Sequence, residues 1–196
     1  MALTLLAASR ARLLDLFRER SFERRDVTLS SGKRSDFYVD SKQTALDAEG
    51  HLLIGRLLYA AIDGYERGTG RTIAGVGGLT LGADPIASAV SMTSALAGRP
   101  IPAFIVRKES KGHGTGAWIE GMKNLPASGE LAIVEDVVTT GGSALKAIER
   151  VRAAGFQVGL VLTLVDRAEE NGRANLEAAG VEVLALYTRS DFMDAP

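Results

Sequence analysis

The chain has 196 residues, 46% of them hydrophobic and 24% charged, and a formal net charge of −1. This composition excludes a disordered, collagen-like or coiled-coil chain, and the length suits one domain with a sizeable core. There is no strong basic excess, no apolar run long enough for a membrane span and no cysteine, so we expect a cytoplasmic protein without nucleic-acid partners, membrane partners or disulfides.

The N-terminal part of the chain predicts small elements that precede the core. Leu5–Arg18 has the pattern of an amphipathic helix, and His51–Ile62 predicts a second helix. Between them, Val27–Leu29 and Phe37–Val39 predict short β segments around the polar turn SSGKRSD. We expect Tyr65–Thr72 to form a loop, and the whole part to pack as a small cap beside the main sheet.

The rest of the chain alternates apolar runs with helical patterns. The apolar runs predict strands at Ile73–Gly77, Ile101–Val106, Leu131–Glu135, Val158–Val165 and Val181–Tyr187. The helices are predicted at Ile86–Ala97 with Asp84 as N-cap before Pro85, from Ser143 to a cap at Gly155, and at Asn171–Ala179 before Gly180. Such alternation predicts an α/β fold with a mostly parallel central sheet flanked by helices.

The strongest functional signal lies where the third of these strands runs into a helix. In Leu131–Ser143, LAIVEDVVTTGGS, the apolar run ends in Glu135 and Asp136 and continues into a Thr- and Gly-rich turn. Glycines let backbone N–H groups approach a ligand, and a helix N-terminus at the carboxyl end of a parallel strand favours an anion. The acids suit sugar hydroxyls or a divalent metal, so the segment indicates a phosphorylated sugar.

Other readings of the glycine-rich segments are weaker. The chain lacks the G-x-x-x-x-G-K-[ST] pattern of a P-loop, and GVGG at Gly75–Gly78 lacks the third glycine of a dinucleotide-binding turn. TTGG alone would equally fit an ordinary strand-to-helix turn with exposed acids. The full arrangement from Leu131 to Ser143 favours the phosphate site.

A second signal follows the predicted strand IPAFIV. Arg107–Gly116, RKESKGHGTG, combines Arg107, Lys108 and Lys111 with His113 and interleaved glycines. A basic segment hinged by glycines beside an anion site can close over a pyrophosphate and exclude water. Considered without the neighbouring phosphate motif, such a run could instead be a solvent-exposed basic loop that binds no ligand.

These segments resemble parts of known enzymes. VEDVVTTGGSALKAIE resembles the 5-phosphoribosyl-1-pyrophosphate (PRPP) binding motif of type I phosphoribosyltransferases, and RKxxKxHGxG resembles the catalytic loop of the orotate phosphoribosyltransferase family. Thr28–Val39 resembles that family's N-terminal orotate-contacting segment, and Arg167 in VDR resembles its orotate-pairing arginine. The resemblance implies one domain, residues 1–196, in which about residues 1–45 contribute to a hood over the base site.

The resemblance also implies roles for individual residues. Its catalytic residues are Lys111, Asp136 and His113. Its PRPP-binding residues, with Glu135 and Asp136 on the ribose hydroxyls, are Arg107, Lys108, Lys111, His113, Glu135, Asp136, Val137, Val138, Thr139, Thr140, Gly141, Gly142 and Ser143. Its orotate-binding residues are Thr139, Arg167, Tyr38 and Phe37. A guanidinium fork such as that of Arg167 suits a planar anion that bears a carboxylate.

The implied reaction converts orotate and PRPP into orotidine 5′-monophosphate and pyrophosphate in UMP biosynthesis. The site offers anion donors and no good nucleophile, which favours direct displacement through an oxocarbenium-like transition state, with Lys111 on the leaving group. The resemblance further implies Mg²⁺ bound mainly through PRPP, without dedicated protein ligands. It also implies a homodimer whose Arg107–Gly116 loop reaches the neighbouring site.

Two alternative functions stay open at this point. One is a purine or xanthine phosphoribosyltransferase, and the other is a PRPP-sensing regulator that does no chemistry. Arg107–Gly116 and Arg167 favour orotate as the substrate. The formal net charge of −1 disfavours a regulator that binds nucleic acid.

Two places depart from the family pattern. Ser30 stands where family members often carry a lysine, with Lys33 and Arg34 just beyond it. The loop Gly77–Ala83, GGLTLGA, has no basic residue where a lysine on the pyrophosphate side is common. In that loop, the sequence offers only backbone N–H groups and Thr80 as donors.

Overall fold

A mostly parallel sheet forms the centre of the protein, as seen in a computed structural model that describes residues 2–28, 32, 34–109, 118–127 and 129–193. The strands are β1 (Phe22–Thr28), β2 (Arg34–Val39), β3 (Ile73–Leu79), β4 (Ala103–Val106), β5 (Ile119–Glu120), β6 (Glu130–Val138), β7 (Gln157–Asp166) and β8 (Glu182–Thr188). The helices are α1 (Ala2–Arg20), α2 (Lys42–Ala45), α3 (Ala48–Thr69), α4 (Ala83–Leu96), α5 (Gly142–Ala153), α6 (Gly172–Ala178) and α7 (Arg189–Met193). The main sheet has the strand order β5-β4-β3-β6-β7-β8, and β1 and β2 form a separate antiparallel pair.

The predicted fold class is confirmed by this topology. Within the main sheet, β3, β4, β6, β7 and β8 pair in parallel, and β5 pairs with β4 in the antiparallel sense. All the residues of β7 after Gln157 are buried, as its continuous apolar run predicts for a strand covered on both faces. The carboxyl ends of β3, β4, β6 and β7 therefore meet at one edge, where open α/β sheets bind ligands.

The N-terminal part shares its core with the central sheet. Leu13, Leu16 and Phe17 of α1 are fully buried in the same apolar cluster as Val134 and Leu162 of the sheet. Burying a leucine side chain stabilises a fold by roughly 1.5–3 kcal/mol relative to leaving it exposed. Such packing fixes α1 and the β1–β2 hairpin relative to the strand ends.

The prediction of a loop at Tyr65–Thr72 is wrong, because α3 continues through Thr69. Tyr65 is only 5% exposed, and its hydroxyl donates a hydrogen bond of 2.9 Å to Glu130. The helix therefore runs seven residues past its predicted end at Ile62, about two turns at 3.6 residues per turn. The helix ends at Gly70, whose φ of 71° lies in the left-handed region that favours glycine.

Two further boundaries differ from the sequence prediction. The first hairpin strand covers Phe22–Thr28 rather than Val27–Leu29, since its exposed charged residues hide the strand pattern, and Leu29 lies outside the described residues. Helix α4 begins at Ala83, and Asp84 does not cap it. The Asp84 carboxylate instead accepts a hydrogen bond of 2.6 Å from the Thr80 hydroxyl in the preceding loop.

No helix in the described part of the chain combines the length and the apolar character that crossing a membrane requires.

Candidate active site

The segment from Glu135 to Ser143 forms an open cradle at the carboxyl edge of the sheet. Strand β6 ends at Val138 and α5 begins at Gly142, so the Thr- and Gly-rich turn joins a strand end directly to a helix N-terminus. Gly141 has a φ of 78°, a conformation that favours glycine at this turn. A cavity of about 210 Å³ lies in front of the turn, lined by Glu135, Val137, Thr139, Thr140, Gly141, Gly142 and Ser143. The arrangement can take an anion of phosphate size.

Asp136 is held between two other segments of the chain. The Ser41 hydroxyl, just before α2, donates a hydrogen bond of 2.6 Å to Asp136 Oδ2. On the other side, a Cβ atom added at Gly82 would lie 2.6 Å from Asp136 Oδ1. The loop between β3 and α4 can therefore approach the Asp136 carboxylate only because residue 82 is a glycine.

Glu135 is in a different state from its neighbour. It is 7% exposed, and its Oε2 atom is buried without a hydrogen-bond partner among the described residues. Burial raises the pKa of Glu135 to about 9, the nearby Asp136 carboxylate adds to the increase, and the charge of Lys108 opposes it. At neutral pH the Glu135 carboxyl is therefore protonated, so it can donate as well as accept a hydrogen bond and does not repel a phosphate.

Replacing Glu135 with glutamine is expected to make stability less dependent on pH. The carboxyl stays protonated in the folded chain up to a pKa of about 9, whereas in the unfolded chain it ionises near 4.5. The folded wild type therefore binds more protons between these values. Its free energy of unfolding should fall as the pH rises, by at most about 1.4 kcal/mol per pH unit from this group.

Urea unfolding of the wild type and Glu135→Gln from about pH 5.5 to about pH 8.5 checks this expectation. The stability of the variant relative to wild type should increase with pH. Two parallel pH profiles would contradict a protonated Glu135.

The start of the basic segment is attached to the cradle helix. Arg150 of α5 donates hydrogen bonds to the backbone carbonyls of Arg107 and Lys108, and its guanidinium lies 4.0 Å from the centre of the Trp118 ring. Arg107 also forms an ion pair of 3.1 Å with Glu120. Lys108 is close enough to Glu135 to affect its titration. The structure thus ties the backbone of Arg107 and Lys108 to α5 and places Lys108 near Glu135, whereas Lys111 and His113 lie outside the described residues.

Arg167 is buried at the same sheet edge. It is 8% exposed, and its guanidinium donates to the Phe37 carbonyl at 2.7 Å and to the Ser35 hydroxyl at 3.0 Å. It also pairs with Glu169 at 2.8 Å. The Arg167 backbone N–H donates to the Val138 carbonyl, which joins this residue to the cradle strand. Arg167 is therefore a fixed group between the hairpin and the cradle, and not a loose surface charge.

The side chains of three predicted binding residues do not line the cavity in front of the turn. The Phe37 ring is fully buried and contacts the rings of Phe22 and Phe192. Its centre lies 5.3 Å from the Arg167 guanidinium, and its backbone carbonyl accepts a hydrogen bond from Arg167. The Tyr38 ring lies 3.8 Å from the Arg25 guanidinium. The Val138 side chain is buried in the core and does not line the cavity. Ser30 and Lys33 lie outside the described residues.

Sequence reasoning missed several polar residues that support the site. Ser41 holds Asp136, Arg150 holds the basic segment, and Glu169 pairs with Arg167. The sequence carried one weak signal, since Arg150 lies on the polar face of a helix that begins at the cradle. For Ser41, which is distant in the chain from Asp136, there was none. No group of three or more His, Cys, Asp or Glu side chains in the described ranges is arranged to hold a metal ion.

The chain is similar to curated bacterial proteins over nearly its full length. It is 50% identical over 187 residues to the orotate phosphoribosyltransferase of Sorangium cellulosum (strain So ce56), which covers 95% of this chain and 94% of that protein. It is 47% identical over 191 residues to the orotate phosphoribosyltransferase of Bradyrhizobium sp. (strain ORS 278), covering 95% of this chain and 98% of the relative. No protein-family model matches the chain.

Solved structures give a consistent result. Orotate phosphoribosyltransferase from Mycobacterium tuberculosis H37Rv, crystallised with Fe(III) dicitrate, superposes with a TM-score of 0.77 at 38% identity over 94% of this chain and 98% of that one. The same enzyme crystallised in complex with PRPP gives a TM-score of 0.73 at 37% identity over 94% of this chain and 99% of that one.

Proposed function

Since the chain belongs to the orotate phosphoribosyltransferase family, we propose that residues 135–143 bind the phosphoribosyl group of PRPP and that Arg167 binds orotate. The enzyme is a pentosyltransferase that transfers the 5-phosphoribosyl group from PRPP to orotate. The products are orotidine 5′-monophosphate and pyrophosphate, in the pathway to UMP. One observation carries the residue assignment: the cavity bounded by Glu135 and the Thr139–Ser143 turn, directly before a helix N-terminus.

Two kinds of group in the cradle bind the two parts of the phosphoribosyl group, the phosphate and the ribose. The amides and hydroxyls from Thr139 to Ser143 hold the 5′-phosphate, supported by the N-terminus of α5. Asp136 accepts from the ribose hydroxyls as a carboxylate, and protonated Glu135 both donates and accepts there. A charged and a neutral carboxyl side by side reduce the repulsion that two carboxylates would exert on the phosphate.

Catalysis follows from positioning and from stabilisation of the leaving group. A ring nitrogen of orotate forms the bond to the anomeric carbon and loses its N–H proton, while the C–O bond to pyrophosphate breaks and pyrophosphate leaves with the electron pair and gains a proton. The transition state is oxocarbenium-like, and no covalent enzyme intermediate forms. In this proposal Lys111 binds the departing pyrophosphate and Arg107, Lys108 and His113 support it, with His113 as the side chain suited to give it a proton near neutral pH. Closure of the Arg107–Gly116 segment would exclude water from this step.

Magnesium fits this site as an ion carried mainly by the substrate. The described residues supply no cluster of three acidic or imidazole ligands, and the Asp84 Oδ1 atom beside the β3–α4 loop is a buried carboxylate oxygen without a hydrogen-bond partner among them. Asp84 and the Asp136 carboxylate are the groups that would approach such an ion. When bound, Mg²⁺ would neutralise part of the negative charge of the pyrophosphate group.

The wider organisation of the enzyme belongs to the same proposal. Residues 1–196 form one domain, with about residues 1–45 as a hood over the base site, supported by the contact of Ser35 and Phe37 with Arg167. The homodimer, with an Arg107–Gly116 loop that reaches the neighbouring site, rests on the resemblance to the family. The charged substrate PRPP favours a cytoplasmic location.

Arg167→Lys is expected to raise the KM for orotate by roughly tenfold or more, with little change in the KM for PRPP. Lysine keeps the charge but loses the planar fork that the Phe37 carbonyl and Glu169 hold in place. Steady-state kinetics with each substrate varied measures both constants. Arg173→Lys, at an arginine that pairs with Asp166 at the same edge, is the matched control. An equal rise in both constants would contradict a specific orotate contact.

The proposed activity is tested by ultraviolet detection of orotate loss in the presence of PRPP and Mg²⁺. Uracil and hypoxanthine serve as alternative acceptors. We expect turnover with orotate and none with the other two bases. Turnover of hypoxanthine instead would overturn the assignment of the base site, and no turnover of any base would overturn the proposed activity.

A further inference from the structure

The β3–α4 loop, which the family resemblance places on the pyrophosphate side of the site, has no basic residue. The β3–α4 loop contains Thr80, Leu81 and Gly82, and it lies against Asp136, as the 2.6 Å between a Cβ built at Gly82 and Asp136 Oδ1 demonstrates. Leu81 is 65% exposed and presents an apolar side chain there. A leaving group with several negative charges would meet no cation from this loop.

A lysine from another element lies at this loop. Lys42 is the first residue of α2, directly after Ser41, whose hydroxyl holds Asp136. Lys42 and Leu81 line one cavity of about 350 Å³, which Asp84 of α4 also borders. Lys42 therefore reaches the same cavity as Leu81 of the β3–α4 loop.

We infer that Lys42 supplies, from α2, the positive charge that the β3–α4 loop lacks, and that it binds the pyrophosphate group of PRPP. This inference rests on the proposed function. It assigns a pyrophosphate contact that the sequence motifs did not indicate, since Lys42 lies outside both the cradle and the Arg107–Gly116 segment.

The charges around Lys42 suit this role. Its Nζ atom lies 2.6 Å from Asp40 Oδ1, and this pair, with help from Asp136, raises the pKa of Lys42 above its ordinary value. The ammonium group therefore stays protonated throughout the neutral range. Its side chain is 43% exposed, so the group can turn from Asp40 to a more highly charged partner.

The cations of the basic segment lie at a different cavity of this loop. Arg107 and Lys108 line that cavity together with Thr80 and Asp84, whereas Lys42 and Leu81 line the other one. The imidazole of His51, which lines the same cavity as Lys42, has its Nδ1 atom 3.1 Å from the Ala45 carbonyl oxygen. Among the described residues that line this cavity, Lys42 alone carries a permanent positive charge.

The test is the reverse reaction, in which pyrophosphate and orotidine 5′-monophosphate are varied separately. Lys42→Ala should raise the KM for pyrophosphate about tenfold and leave the KM for orotidine 5′-monophosphate within about twofold. Lys42→Arg should restore most of the loss. Lys123→Ala, at an exposed lysine in the 3₁₀ turn Met122–Asn124, is the control and should match the wild type. Lys42→Met, which nearly keeps the length of the stem and removes the charge, provides the same comparison if the alanine variant does not fold.

Two results would overturn the inference. One is an unchanged KM for pyrophosphate in Lys42→Ala, and the other is an equal rise in both constants, which would mean that Lys42 acts only by supporting Asp136 and α2. If the wild type converts orotate and either result is found, Lys42 does not bind pyrophosphate, but the proposed function stands. An inactive wild type would instead count against the proposed function itself.

Discussion

Replacing Lys111 with alanine is expected to lower kcat about 10²–10³-fold, the scale seen when a single donor to developing charge is removed. In the proposed mechanism, negative charge grows on pyrophosphate as the anomeric bond breaks, and Lys111 is the cation that meets it. The interaction is stronger in the transition state than with bound PRPP, so the loss should appear in kcat more than in KM.

Steady-state kinetics at saturating orotate and PRPP measures this effect. Lys146→Ala, at an exposed lysine of α5, is the matched control and should keep the wild-type rate. An unchanged kcat in Lys111→Ala would refute the leaving-group role. A rise in KM for PRPP alone would reduce Lys111 to a residue that binds the substrate without accelerating the reaction.

Asp136→Asn is expected to weaken PRPP binding by about 10²-fold with the fold intact. Hydrogen bonds to a charged group contribute about 1.5–3 kcal/mol each, and the amide removes the charge that faces the ribose hydroxyls. The amide oxygen can still accept from the Ser41 hydroxyl, which now donates to Asp136 Oδ2 at 2.6 Å. Thermal unfolding should therefore change little.

Glu135→Gln gives the matched comparison for this variant. Because the Glu135 carboxyl is protonated in the folded protein, an amide keeps its size and its ability to donate and accept. Calorimetric titration with PRPP should therefore find much tighter binding by Glu135→Gln than by Asp136→Asn. Wild-type affinity in the Asp136→Asn variant would contradict the ribose assignment, and equal losses in both variants would contradict the difference in charge between the two carboxyls.

The central sheet and the cradle could be predicted because their signals are local in the sequence. The apolar run of β7 matches a strand that is buried on both faces, and the acids and glycines after β6 lie in one short segment. The choice between orotate and a purine base rested on Arg107–Gly116 and Arg167. Relatives at 47% and 50% identity support orotate over both the purine enzymes and the regulator.

Contacts between distant segments could not be predicted in this way. The extension of α3 to Thr69 depends on the hydrogen bond between Tyr65 and Glu130, which are far apart in the chain. Ser41 contacts Asp136 across 95 residues of sequence, and Lys42 shares a cavity with Leu81 of the β3–α4 loop. The charged strand β1 is stabilised by pairing with β2 rather than by an apolar pattern of its own.

A crystal structure of the protein with orotidine 5′-monophosphate tests the cradle assignment most directly. We expect the 5′-phosphate on the amides from Thr139 to Ser143, the ribose hydroxyls on Glu135 and Asp136, and the orotate carboxylate toward Arg167. A nucleotide whose phosphate lies away from this turn, with the cavity before Gly142 empty, would contradict the account.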